Sequence, residues 1–286
     1  MRISSILQSK EVIASCEIVP PKAGSKLEQT FEIASQIAAL KPAFISVTCG
    51  AGGSTALYTE KLAHHIENSN VPALAHLTCV ASGKEEISVI LDEYAKMGIE
   101  NILALRGDLP KDMDKPPPGS YKYANELVAV IRERGGFCIG AACYPEGHIE
   151  SSNQDEDIDY LKQKVDAGCD FLTTQMFFDN NVLYKFLYKL SRKGINIPVL
   201  AGIMPVTNKL QIRRILQFSG TALPPRFQNI IDKFGDKPLA MRQAGIAYAT
   251  EQIIDLIANN VRGIHIYTMN KPDIAEMIMK NLSEIL

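Results

Sequence analysis

The feature that most constrains this chain is a recurring alternation of element types. Eight short apolar runs are separated by stretches whose apolar residues fall at helical spacing. The runs cover residues 12–19 (VIASCEIV), 43–48 (AFISVT), 72–80 (PALAHLTCV), 101–106 (NILALR), 137–144 (FCIGAACY), 171–177 (FLTTQMF), 197–204 (IPVLAGIM) and 262–268 (RGIHIYT). Segments such as KLEQTFEIASQIAALK and EEISVILDEYAKMG lie between them, and glycines in AKMGIENIL and VDAGCDFL punctuate helix ends. Eight strand–helix units in 286 residues predict an α/β fold, a (β/α)8 TIM barrel forming a single domain over residues 1–286; a doubly wound open sheet is the alternative. Two stretches break the regularity. A proline-rich loop, GDLPKDMDKPPPGSYKY, follows the fourth run, and the long segment between runs seven and eight has room for extra helices.

A net charge of −2 leaves no electrostatic footprint for nucleic acid or an anionic membrane surface. No apolar run approaches the roughly 18 residues of a membrane span. The opening MRISSILQSKEV lacks the pattern of a signal peptide, so a cytoplasmic protein is expected. Its six cysteines include no C-x-x-C pair and mostly sit in strand-like runs, which reads as reduced, buried thiols.

Side chains alternate across a strand with period two. One phase of the runs is mostly apolar and suits contact with helices. The other collects polar residues: Ser15 with Glu17, Ser46 with Thr48, His76 with Thr78, Thr173 with Gln175, and His265 with Tyr267. Glu17, Thr48, His76, Arg106 with Asp108, Tyr144, Gln175 and Tyr267 also fall late in their runs, at the end where barrels of this type build active sites. Glu17 is the most costly of them, a carboxyl set among apolar neighbours just before Pro20 and Pro21.

No lysine projects from a strand end for Schiff-base chemistry, no G-x-S-x-G elbow occurs, and His76, His148, Glu17 and Asp108 lack an H-x-H or H-E-x-x-H spacing, so no metal is expected. GAGGST (50–55) is an incomplete dinucleotide fingerprint, with Thr55 at the third glycine position. What remains is a pair of acids. The apolar setting of Glu17 suits a proton-holding general acid, and Asp108, in a polar glycine-flanked loop beside Arg106, suits a standing negative charge.

These residues carry a resemblance. The motifs E-I-V-P-P (17–21), S-V-T-C-G-A (46–51), A-H-L-T-C (75–79), A-L-R-G-D-L-P (104–110), A-C-Y-P-E-G-H (142–148), K-V-D-A-G (164–168), T-Q-M-F-F-D (174–179), G-I-M-P-V (202–206) and Y-T-M-N (267–270) occur in the order and at the strand ends seen in methylenetetrahydrofolate reductases. The chain resembles that family from Glu17 to about Lys271. The resemblance implies a flavoprotein oxidoreductase of one-carbon metabolism and methionine biosynthesis. FAD would take hydride from NADH, NADPH or a partner subunit and reduce 5,10-methylenetetrahydrofolate to 5-methyltetrahydrofolate. A homo-oligomer is expected.

Carried over position by position, Glu17 is the expected proton donor and Asp108 the acid beside pterin and flavin. Thr48, Cys49, Ala51, His76, Arg106, Gly107, Asp108, Tyr123, Tyr144, His148, Asp157 and Lys164 are expected to bind FAD, with Arg106 and Lys164 on its pyrophosphate and Asp157 on a ribose hydroxyl. Glu17, Asp108, Gln175, Gln211, Ile215, Tyr267 and Lys271 are expected to meet substrate. Three positions depart from the family pattern: aliphatic residues in E-I-V-P-P where many relatives have aromatics, Cys49 in place of a frequent tyrosine, and Ile215 in place of Phe or Leu. The competing readings are a flavin-free pterin-binding barrel methyltransferase and a non-catalytic barrel subunit.

Overall fold

The structure is a computed structural model, and it describes all residues except 10, 23–24, 51–55, 111–112, 213–215 and 217–220. After a short helix α1 (Ile3–Leu7), strand and helix alternate: β1 (Ile13–Ile18), α2 (Glu28–Ala39), β2 (Ile45–Val47), α3 (Ala56–Glu67), β3 (Ala73–Thr78), α4 (Lys84–Lys96), β4 (Asn101–Leu105), α5 (Ala124–Arg134), β5 (Cys138–Cys143), α6 (Gln154–Asp166), β6 (Phe171–Thr174), α7 (Asn180–Arg192) and β7 (Val199–Ile203). Helices α8 (Pro225–Phe234) and α9 (Pro238–Ala258) then precede β8 (Gly263–Tyr267), and α10 (Pro272–Asn281) follows it. All eight strands pair in parallel, in chain order, and close on themselves. This is the (β/α)8 barrel that the alternation predicts, including the extra helices between the last two strands.

The two phases of each strand separate as period-two alternation requires. Cys16, Ile18, Ile45, Val47, Ile102 and Ile139 face outward and are fully buried with the apolar stripes of the helices. Inside the barrel, Phe44, Leu74, Leu103, Cys138, Phe171 and Leu200 form an apolar floor capped by Ile3 of α1. Asn101 ties that cap down. Its Oδ1 accepts from Ile3 N (2.8 Å), and its Nδ2 donates to the carbonyls of Met1 and Ala73 (3.1 Å each), so the buried amide is satisfied. With the N-terminal end of the barrel plugged, the polar interior opens only toward the C-terminal ends of the strands.

Between β7 and β8, residues 209–212 are helical, and α8 and α9 build a separate small core from Phe178, Met204, Val206, Phe227, Ile231 and Met241. Among the described residues no helix is long and apolar enough to cross a membrane. Cys16, Cys79, Cys138, Cys143 and Cys169 are buried thiols. Burial pushes Cys16, Cys79 and Cys169 up to about 12, which makes them poor nucleophiles at neutral pH.

Candidate active site

Glu17 lies inside the barrel, one residue before the end of β1. It pairs in register with Ser46 of β2 on one side and Tyr267 of β8 on the other. Its side chain is 15 % exposed, so the carboxyl sits at the mouth and not in the packed floor. Ser46 Oγ is 3.5 Å from Glu17 Oε2, His76 Nε2 is at 3.7 Å and His265 Nε2 at 3.9 Å. Beneath, Ser46 Oγ meets His265 Nε2 at 3.1 Å, and Ser15 Oγ meets His265 Nδ1 at 2.8 Å. Polar residues from β1, β2, β3 and β8 therefore form one connected group above the apolar floor.

Burial drives His76 down to about 4; Glu17 opposes the shift, and His265 adds to it. At neutral pH the His76 ring is uncharged, so its contact with Glu17 is not an ion pair. His76 Nε2 and Thr173 Oγ1 are buried and have no hydrogen-bond partner among the described residues. Two orphaned polar atoms in one barrel interior, on β3 and β6, are the mark of a site that pairs with a ligand.

Tyr267 reaches from β8 past Gly202 of β7 to the end of β6. Its hydroxyl donates to the Thr174 carbonyl at 2.6 Å, and burial raises it far above the usual phenol range. The ring fits because residue 202 is glycine: a Cβ there would stand 2.6 Å from the Tyr267 oxygen and 2.4 Å from the Thr174 carbonyl.

A second group of the expected residues lines one cavity of about 330 Å³ beside the barrel mouth: Arg106, Tyr123, Tyr144, His148, Asp157 and Lys164. Asp157 and Lys164 lie seven residues apart on α6, on one helical face turned inward to β5, and not on a solvated surface. Lys164 Nζ donates to the Ala142 carbonyl at 2.7 Å, and burial lowers its pKa. Asp157 accepts from Ser151 Oγ at 3.3 Å, and burial raises it, partly offset by Lys164 and His148. Tyr144 and His148 meet edge to face at 4.6 Å. Arg106 arrives by a feature invisible in the motifs, a two-pronged ion pair with Glu150 in which Nη2 donates to Oε1 at 2.8 Å.

The two groups are linked at the rim. Tyr144 feels the charges of Asp108 and Arg106, and Tyr267 feels Glu17 and Tyr144. Asp108 itself is exposed. Gly107 holds the chain between them at φ +76°, seated against Thr78. Thr48 and Cys49 follow β2; the Thr48 carbonyl accepts from Thr59 Oγ1 at 2.9 Å, and Cys49 is half-buried. Gln211 and Lys271 meet at Thr207: Gln211 Oε1 accepts from its backbone N–H (3.2 Å), and Lys271 Nζ donates to its hydroxyl (3.0 Å). Gln175 Oε1 accepts from the backbone N–H of the next residue, Met176, at 2.9 Å. Ala51 and Ile215 lie outside the described residues.

Sequence motifs gave no role to Ser15, Ser46 and His265, although their shared strand phase pointed to them. They gave none to Glu150, nor to Thr268 and Asn270, which hold the backbone of β1 from the far side. Thr268 Oγ1 donates to the Glu17 carbonyl at 2.6 Å. Among the described residues no group of three or more His, Cys, Asp or Glu side chains is arranged to hold a metal ion.

The residues present fit an FAD molecule. A pyrophosphate needs cations with polar hydrogens, which Arg106 and Lys164 supply. A ribose needs an acceptor, and the Asp157 carboxyl, which accepts from Ser151 Oγ at a long 3.3 Å, is one. A polar heteroaromatic ring needs donors and acceptors at the mouth, and His76 and Thr173 offer unpaired atoms there.

Comparison with known proteins gives the fold and the family. Among solved structures, the fold is similar to an uncharacterised Clostridium thermocellum protein that binds two copies of 5-methyl-5,6,7,8-tetrahydrofolic acid (TM-score 0.64, 13% identity, all of both chains) and to oxaloacetate acetylhydrolase (TM-score 0.54, 12% identity, 99% of this chain and 84% of that one). At such identities the likeness is one of fold. Curated relatives are much nearer in sequence. Methylenetetrahydrofolate reductase (NADH) 1 of Arabidopsis thaliana is 35% identical over 99% of this chain and 50% of its own length. The 5,10-methylenetetrahydrofolate reductase of Escherichia coli (strain K12) is 32% identical over 95% of this chain and 91% of its own length. The chain thus spans about half the length of the plant relative and nine-tenths of the bacterial one. The family model described as Methylenetetrahydrofolate reductase matches residues 2–283, and the chain belongs to that family.

Proposed function

We propose that this chain reduces 5,10-methylenetetrahydrofolate to 5-methyltetrahydrofolate, with FAD as the bound hydride carrier and Glu17 as the proton donor. The observation that carries the reading is the placement of Glu17: a carboxyl inside the mouth of a plugged barrel, flanked by Ser46 and His76 and facing the one open end. Family membership supplies the substrate class.

The methylene carbon of the substrate lies between two nitrogens and accepts hydride only after one C–N bond opens. Protonation of the leaving nitrogen opens the ring and leaves a cationic iminium. Glu17 is the acid placed to deliver that proton. Asp108, at the rim beside Gly107, lends negative charge that favours the cation over the neutral substrate. FAD, when bound, supplies two-electron hydride transfer to and from its ring. Arg106 and Lys164 would hold its pyrophosphate and Asp157 a ribose hydroxyl. His76, Tyr144 and the backbone about Gly107 would border the ring, and Gln175, Gln211, Tyr267 and Lys271 would surround the folate. The names of the plant relatives favour NADH as the electron source.

The two half-reactions test this separately. The purified protein is expected to carry flavin absorbance, to be bleached anaerobically by NADH and to recover its colour on adding 5,10-methylenetetrahydrofolate. Glu17→Gln should keep flavin and NADH oxidation but slow the folate half-reaction by at least ~10². A colourless protein with no affinity for added FAD rules out the reading, and an unimpaired Glu17→Gln variant rules out the proton donor.

A further inference from the structure

We propose that Glu150 is a carboxylate stand-in for a phosphate: it fills the fork of Arg106, is displaced when FAD binds, and so sets the affinity for that cofactor. This rests on the FAD reading above. The cavity beside the mouth is lined by two cations, Arg106 and Lys164. Lys164 Nζ rests on the Ala142 carbonyl, a neutral partner, with hydrogens to spare. Arg106 is engaged differently. Its Nη1 and Nη2 both donate to Glu150, one to each carboxylate oxygen, with Nη2 at 2.8 Å from Oε1. Its Nε faces the Gly107 carbonyl at 3.4 Å. A guanidinium grips a phosphate with the same parallel pair of N–H groups that it turns to a carboxylate. With Nε turned to Gly107, the Nη1–Nη2 pair is the fork left for a phosphate, and Glu150 occupies it.

Charge points the same way. Arg106 and Lys164 are balanced in the cavity wall by Glu150 and Asp157, and Asp108 adds a further negative charge near Arg106. A pyrophosphate brings more negative charge, so a carboxylate that stayed on Arg106 would stand against it. Exposure decides which partner leaves: the Glu150 side chain is 56 % exposed and that of Arg106 30 %. Among the described residues Arg106 is the one hydrogen-bond partner of the Glu150 carboxylate, and it holds that carboxyl below the usual range. Released, the carboxylate returns to water at little cost. The backbone need not follow. Glu150 N–H donates to His148 Nδ1 at 3.2 Å, Ser151 N–H to the His148 carbonyl at 3.0 Å, and Ser152 N–H to Glu156 Oε2 at 2.7 Å. These bonds pin the loop on both sides of Glu150, and rotation of one side chain opens the fork.

Flavin fluorescence titration of the flavin-free whole chain reads the effect as an affinity. Glu150→Gln keeps the size of the side chain and removes its charge, and it should bind FAD at least ~3-fold tighter than wild type. The gain should disappear in an Arg106→Gln background, where no fork is left to contest, so the two substitutions should be non-additive. The rise in melting temperature on adding FAD gives the same ranking by a second route and should be larger in Glu150→Gln than in wild type. A Glu150→Gln variant that binds FAD no better than wild type overturns the proposal, since the pair then braces Arg106 instead of blocking it. So does a gain of equal size in the Arg106→Gln background, which would assign the effect to general charge. Failure of the FAD reading is seen separately, as no FAD uptake by wild type or by either variant.

Discussion

Asn270 pairs both atoms of its side-chain amide with both backbone groups of Val19: Oδ1 accepts from the Val19 N–H at 2.8 Å, and Nδ2 donates to the Val19 carbonyl at 2.7 Å. The side chain replaces a neighbouring strand just where β1 leaves the sheet, two residues past Glu17. To reach it the backbone adopts φ +52° at Met269 and +56° at Asn270, which is unfavourable for residues other than glycine, though least so for asparagine. Strain of this kind persists only where surrounding contacts impose it. Asn270→Ala loses both hydrogen bonds and keeps the unfavourable φ, so it should cost about 2 kcal/mol of stability, read by urea unfolding. Asn270→Gly relieves the φ and should cost about half as much. Both should slow the folate half-reaction, because Glu17 loses its outer clamp. If Asn270→Ala unfolds like wild type, the clamp contributes nothing.

Gly107 offers a sharper steric test. It sits at φ +76°, and a Cβ built on it would lie 2.7 Å from Thr78 Cβ. Gly119 has nearly the same φ, +77°, with nothing within 4 Å of its would-be Cβ. Gly119→Ala should therefore cost only the backbone penalty, about 1 kcal/mol. Gly107→Ala adds a clash between backbone-fixed atoms and should cost at least about 2 kcal/mol more. It should also weaken flavin binding, since Arg106 and Asp108 flank it. Equal losses for the two alanines would mean that the Thr78 contact is not the constraint.

The barrel and the interior face of the site were legible because both rest on periodicity. An eightfold alternation of short apolar runs with helical stretches admits few closed folds, and strand parity places Ser15, Glu17, Ser46, His76 and His265 on the same side. What escaped was non-periodic. Helix α1 is too short for a helical repeat to register, yet its Ile3 seals the floor of the barrel. Asp157 and Lys164 read equally well as a solvated helix face, because sequence gives the spacing of a helical face but not which way it turns. The Arg106–Glu150 pair and the Asn270–Val19 clamp join residues whose proximity is decided by loop conformation. For Ala51 and Ile215 the question stays with the sequence.

The inward turn of Lys164 makes a prediction with a control on the same helix. Lys164 Nζ is buried on the Ala142 carbonyl, whereas Lys162 pairs with Asp166 at the surface. Replacing a buried ammonium with a methionine of similar length removes a desolvated charge along with one hydrogen bond, so Lys164→Met should change the stability of the flavin-free protein by no more than about 1 kcal/mol. It should nonetheless weaken FAD binding at least ~10-fold, about 1.4 kcal/mol, as measured by flavin fluorescence titration. Lys162→Met should leave that affinity unchanged. If the two variants bind FAD equally well, Lys164 does not hold the pyrophosphate.

His76 predicts a pH dependence of stability with a definite sign. Its pKa falls from the ordinary 6.5 to about 4 in the folded protein because burial penalises the imidazolium, against a smaller opposing pull from Glu17. Above pH 6.5 the ring is neutral whether the chain is folded or not, and it contributes no pH dependence. Between pH 6.5 and 4 the unfolded chain binds a proton that the folded one refuses, so stability falls as the pH falls, by up to about 3 kcal/mol from this group. His76→Gln removes the titration while keeping a polar side chain of similar reach. The stability difference between wild type and His76→Gln, from urea unfolding at steps between pH 7 and 4, should thus shift against wild type by up to that amount as the solution is acidified, the other carboxylates largely cancelling in the subtraction. A difference that stays flat across the range would place the His76 ring in contact with solvent, and it would remove the buried neutral imidazole from the wall of the site.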